Sequence, residues 1–147
     1  MSNRELLPIP PIASATDPIH SAADMRQRWR ALMGELGFGE RLLWVGFVGP
    51  DRRMYKTLSQ VPVGYRPKSG IVEFIMSRLP HVLVGLDPDT TVALLLTRPG
   101  VGTVSEADRR WAAALVEAAE RFGVPIEPIF RANDEALVLV EPESKAA

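Results

Sequence analysis

Residues 94–108 read LLLTRPGVGTVSEAD. A continuous apolar run ends at Arg98-Pro99-Gly100, passes a second glycine at Gly102, and restarts at Ser105 with a helix signal. Serine followed three residues later by Asp108 is the pattern of a capping box, in which each side chain satisfies an orphan N–H of the first helical turn. A buried strand, a glycine loop and a helix N-terminus therefore follow one another. Backbone N–H groups and the helix dipole favour anions at such a corner, and its neighbours decide what it is for.

Working outward, TVALLLTR (91–98) is apolar without alternation, as in a strand covered on both faces of a sheet. After Ser105, Trp111, Leu115, Val116, Ala119 and Phe122 form one helical stripe, and Gly123 supplies the stop. Upstream, RLLWVGFVG (41–49) and MYKTLSQVPV (54–63) are β-rich arms joined by the turn GPDRR, which predicts a hairpin. A first helix begins at Ser21, capped with Asp24, buries Met25, Trp29, Leu32, Met33 and Leu36, and stops at Gly37. Ser69 caps a second helix carrying Ile71, Phe74, Ile75 and Leu79, with Val82 and Leu83 beyond a break or kink at Pro80. VPIEPIF (124–130) is a proline-interrupted strand suited to a sheet edge, RAND (131–134) a turn, and EALVLVEP (135–142) the last strand.

The order α-β-β-α-β-α-β-β predicts an α/β domain: a mixed sheet flanked by helices in two or three layers. The domain is expected over 21–142. A proline-rich arm precedes it over 1–20, expected to be extended, and a polar tail follows at 143–147. Pro8, Pro10, Pro11 and Pro18 disfavour helix in the arm, while Leu6, Leu7, Ile9 and Ile12 are too apolar for a solvated linker.

The 147 residues suffice for a real core. With 46% hydrophobic and 24% charged residues, composition is that of an ordinary globular domain. A net charge of −1 and a pI near 6.1 argue against a broad nucleic-acid footprint. Arg26, Arg28 and Arg30, and Arg109 with Arg110, read as solvated helix faces. The chain has no cysteine, which removes disulfides and thiolate metal sites. No apolar run approaches the roughly 20 residues of a membrane span, and the N-terminal segment lacks a signal-peptide core, so a cytoplasmic protein without cofactor is expected.

The corner itself admits several chemistries. As a phosphate cradle it has only two glycines, without the third glycine of a dinucleotide fingerprint or the Gly-Lys-Ser/Thr of a P-loop; GFGER (37–41) is a second such pair. As a nucleophile site it lacks a G-x-S-x-G elbow, and Ser105 and Ser69 read as caps. Trp29, Trp44 and Trp111 read as core. His81 reads as structural and His20 as exposed, while Tyr65, between basic residues in VGYRPK, is a candidate contact point.

The stretch LLLTRPGVGTVSEADRRWAAALVEAAERFGVPIEPIF resembles the RadC-like branch of the JAB/MPN metal-dependent hydrolases. Members carry His-x-His-Pro at a strand end, a glycine-containing loop, Ser-x-x-Asp opening a helix, and Gly-Ile/Val-Pro after it. Pro99, Gly100, Ser105, Asp108, Gly123 and Val124 fit that frame, and the glutamate leading the family's first hairpin falls on Glu40. The two histidines fall on Leu96 and Arg98, and the loop is one residue short. The resemblance thus implies a fold that has lost its metal, because leucine has no donor atom and arginine is a permanent cation. It also implies a charge problem, since a buried carboxylate needs a cation. Arg98 is expected near Asp108, Glu40 or both.

The function implied is a non-catalytic interaction or scaffold protein. Leu6, Leu7, Ile9, Ile12 and Tyr65 are the candidate surface for a protein partner or a second copy. A small-anion or ligand-binding protein, or an enzyme, using the pocket near Arg98 and the start of the third helix at Ser105 is the alternative, and DNA association through the RadC likeness a third.

Overall fold

The computed structural model describes residues 9–141. Leu6 and Leu7, and the tail 143–147, lie outside the described residues. The chain is an α/β protein with three helices and a five-stranded mixed sheet: α1 (Ala22–Met33), β1 (Leu42–Val48), β2 (Met54–Pro62), α2 (Ser69–Val84), β3 (Thr91–Thr97), α3 (Glu106–Phe122), β4 (Phe130–Ala132) and β5 (Leu137–Leu139). The strands lie in the order β2-β1-β3-β4-β5. β1 is antiparallel to both neighbours, β3 and β4 run parallel, and β5 returns antiparallel to β4.

The uniform apolarity of β3 has a direct cause. Val92, Leu94 and Leu96 face one core, shared with Val72, Ile75, Met76 and Leu79 of α2 and Trp111, Ala112 and Leu115 of α3. Ala93 and Leu95 face a second core, built on Met25 and Trp29 of α1. The sheet is thus the middle of three layers, with one helix on one face and two on the other. Trp29 lies so close to β1 that a Cβ on Gly46 would stand 3.7 Å from its ring and 2.7 Å from Met54 Cε; β1–β2 register also shifts between Gly46 and Val48.

Helix ends follow local chemistry. Asp24 N donates to Ser21 Oγ at 3.1 Å, and His20 N donates to Asp24 Oδ2. α1 stops at Gly34 (φ 63°), three residues before the expected Gly37. Gly34 sits in a conformation open to glycine, and its N–H donates to the Arg30 carbonyl, ending the helix there. Ser69 is the first residue of α2, not its side-chain cap. α2 also runs through Pro80: packing of Ile75, Met76 and Leu79 outweighs the one helical donor that proline lacks. Beyond that turn Val82 is exposed, as is Phe74, which lies under the Arg78 guanidinium. His81 is exposed as well, not structural.

Three further expectations are corrected. Residues 12–16 form a short 3-10 helix, not an extended arm. Ala15 and Ile19 are buried, and Ile19 joins the α1 core while exchanging hydrogen bonds with Arg52. Proline at position 11 sets the dihedral that starts this turn rather than preventing it. The α1 arginines are not a solvated face: Arg28 and Arg30 are buried, and both donate to backbone carbonyls, of Ser14 and Gly34. Arg26 Nε donates to the Leu137 carbonyl on edge strand β5. Arg109 and Arg110 are exposed, as expected.

β4, finally, lies inside the sheet, not at its edge, and begins where the expected strand ended. Pro125 and Pro128 lack the N–H a ladder needs, so among the described residues 124–128 pairs its backbone with β3 only at a Val92–Ile126 bridge. The proline-free Phe130–Ala132 makes the strand, taking in Arg131 and Ala132 of the expected turn.

Candidate functional site

The end of β3 and the start of α3 bring Arg98 against Asp108. Arg98 continues the alternation of Val92, Leu94 and Leu96, so its side chain rises on the α3 face. Arg98 Nε donates to Asp108 Oδ1 and Nη2 to Oδ2, both at 2.9 Å, the forked geometry that guanidinium and carboxylate share. Asp108 also closes the capping box: its Oδ2 accepts from Ser105 N at 3.0 Å, and its own N–H donates to Ser105 Oγ at 3.1 Å. Both side chains are buried.

A third charge completes the cluster. Arg131, on β4 in register with Leu96, is 1% exposed, and its Nε lies 3.6 Å from Asp108 Oδ2. Burial alone would raise the Asp108 carboxyl, but the Arg98 hydrogen bonds, the Ser105 N–H and the charges of Arg98 and Arg131 hold it below the usual carboxylate range. Hydrogen bonding to Asp108 raises Arg98, whereas burial pulls Arg131 down. Arg41 stands close enough to feel both Arg98 and Asp108; burial lowers it, and its guanidinium sits 4.8 Å from the centre of the Tyr65 ring.

Of the residues the sequence singled out, the structure brings together Arg98, Ser105 and Asp108. Leu96 is buried in the core between sheet and α3, offering no donor. Glu40 is exposed ahead of β1 and makes no ion pair among the described residues; Asp108 is the ion-pair partner of Arg98, and the charge of Asp134 also acts on it. Tyr65 is 59% exposed, with its loop pinned by Trp111 Nε1, which donates to the Gly64 and Tyr65 carbonyls. Ile9 and Ile12 are exposed. Trp29 and Trp111 are core, while Trp44 is half-buried, its Nε1 bonded to Thr97 Oγ1.

Sequence reasoning placed a turn at 131–134 but missed what Arg131, Asn133 and Asp134 bind there. Asn133 is fully buried: its Oδ1 accepts from Glu135 N and Ala136 N, and its Nδ2 donates to Gly102 O at 2.9 Å. Asp134 binds both glycine loops at once, Oδ1 accepting from Phe38 N at 3.0 Å and Oδ2 from Gly100 N at 2.8 Å. The anion held by these glycine loops is thus the chain's own carboxylate. An Asn-Asp pair does signal such side-chain-to-backbone bonding, but nothing local says which loop it will reach.

The donor set does not fit a JAB-type metal. Both Asp108 oxygens are engaged by Arg98, the two histidine positions carry an apolar and a cationic side chain, and Glu40 is exposed. Among the described residues no group of three or more metal-binding side chains stands together. Compared with models of known protein families, with curated proteins and with solved structures, the chain matches none. Among the described residues no helix is long and apolar enough to cross a membrane.

Proposed function

We propose that this chain is a metal-free, RadC-like member of the JAB/MPN type that acts through its surface as an interaction or scaffold protein. The observation carrying this reading is the forked Arg98–Asp108 pair. In the resembled hydrolases this aspartate helps hold a metal that polarises substrate and activates water. Here its oxygens serve a guanidinium instead, which supplies positive charge but no open coordination position. The three-layer arrangement and the capped corner at Ser105 are compatible with the resemblance, and the buried Leu96 supports the loss of the metal.

The candidate contact surface is the exposed part of the N-terminal segment, Ile9 and Ile12, with Tyr65 as a separate point. Deleting residues 1–20 would remove the core side chain of Ile19, so point changes are the cleaner test. Wild-type protein and the Ile9→Ser/Ile12→Ser variant are compared by sedimentation and by recovery of bound partner with a tagged chain, alongside elemental analysis. The expected outcome is an assembly formed by wild type and weakened in the variant, with no stoichiometric zinc. A wild-type monomer that recovers no partner, or one zinc per chain, would sink the reading.

A further inference from the structure

Beside the same corner lies a groove of about 420 Å³, within the size range of small-ligand sites. Its walls are Val104, Ala136 and Val138, and its polar end is formed by Gly102, Arg131 and Glu135. Arg131 is the uncommon feature here. All its contacts are long: Nη1 and Nη2 each lie 3.5 Å from Gly102 O, and Nε makes no hydrogen bond, its nearest carboxylate oxygen being 3.6 Å away. That oxygen already accepts from Arg98 and Ser105. Two buried guanidinium groups therefore share one buried carboxylate, and a buried cation without a close partner is costly.

The two glycine N–H groups of the loop are held differently. Gly100 N donates to Asp134, whose other oxygen is fixed by Phe38. Gly102 N donates to Glu135 Oε1 in a single, longer bond of 3.3 Å. Glu135 is half-buried at the groove, and its charge acts on Arg131 as a ligand carboxylate in its place would. Gly102 has φ 101°, open to glycine and rare for other residues, which keeps its N–H at this position.

We propose that this groove binds a small apolar carboxylate. The ligand carboxylate displaces Glu135 from the Gly102 N–H and comes to rest beside Arg131, and its hydrocarbon part lies along Val104, Ala136 and Val138. A single negative charge meets Arg131, whose nearest carboxylate oxygen is already taken by Arg98 and Ser105. A phosphate dianion would face Glu135 and Asp134 nearby and leave the apolar walls unused. This inference is independent of the scaffold reading, since it requires neither a partner nor the family resemblance.

The test is an amide-resolved NMR titration of the full chain with hexanoate, with hexanol and inorganic phosphate as parallel probes. Hexanoate is expected to give saturable shifts at Gly102, Thr103 and Val138, with hexanol and phosphate weaker by about tenfold or more. Glu135→Gln is expected to tighten hexanoate by about fivefold, the size of one partly screened like charge removed. Four results overturn the proposal: no saturation at tens of millimolar, equal binding of hexanol, equal binding of phosphate, or a Glu135→Gln variant that binds no more tightly than wild type.

Discussion

Arg98 and Asp108 meet as a two-pronged pair, Nε on Oδ1 and Nη2 on Oδ2, each at 2.9 Å and both nearly closed off from water. The pair joins the last turn of a buried strand to the first turn of a helix ten residues later. One carboxylate thereby does two things: it neutralises a buried cation and caps α3.

Removing one partner leaves the other charge buried. Arg98→Met is expected to destabilise the fold by about 3–5 kcal/mol, the usual cost of breaking a buried pair. Arg98→Lys should recover only part of this, because an ammonium cannot make the forked contact. Urea unfolding of both variants checks the order, and equal midpoints for Lys and wild type would show that geometry contributes nothing.

Acid should act through the same carboxylate. Folded Asp108 is held below the roughly 3.9 of an unfolded aspartate. The folded chain therefore binds fewer protons than the unfolded one, so the stabilisation is complete above the unfolded value. It fades as pH falls through the lower folded value. Glu127, also held low against burial by Arg52 and Thr91, acts in the same direction. Asp108→Asn should thus be less stable at neutral pH and show a shallower loss of stability on acidification than wild type. Parallel acid limbs in the two proteins would exclude Asp108 as a source of the slope.

The N-terminal segment separates into structural and surface parts. Ile19→Ala removes a side chain that is 1% exposed and is expected to cost about 2–5 kcal/mol. Ile12→Ala, at a position 68% exposed, should stay within about 0.5 kcal/mol. Thermal or urea unfolding reads both, and similar effects at the two positions would contradict the packing of this segment.

At the end of α3, Gly123 holds φ 68° and ψ 32°, a left-handed C-cap. Gly123→Ala is expected to lower stability by about 1 kcal/mol or more, since alanine resists that conformation. A neutral result would mean that the helix ends differently in solution.

Much of the framework was legible because it rests on local chemistry. Ser21–Asp24 and Ser105–Asp108 announce helix starts through side-chain bonds confined to one turn, and β3 shows its double burial as unbroken apolarity. The corner gave up Arg98 and Asp108 because they lie ten residues apart on elements whose directions could be read. Arg131 stayed hidden because a charged residue in a short strand looks like a turn until the parallel partner strand is known. The N-terminal turn was hidden for a similar reason: Ile19 is buried by Trp29 and Met25, and proline frequency says nothing about that. Arg28 and Arg30 misled because their hydrocarbon stems bury as readily as leucine when carbonyls receive their ends.

The bond from Arg26 to the Leu137 carbonyl ties α1 to the rim of the sheet. It occupies an outward-facing acceptor on β5, one end of the sheet, while β2 at the other end has no strand paired to its outer side among the described residues. One guanidinium on α1 therefore fills an acceptor on the β5 edge, and the three-residue length of β5 leaves little of it to template a further strand.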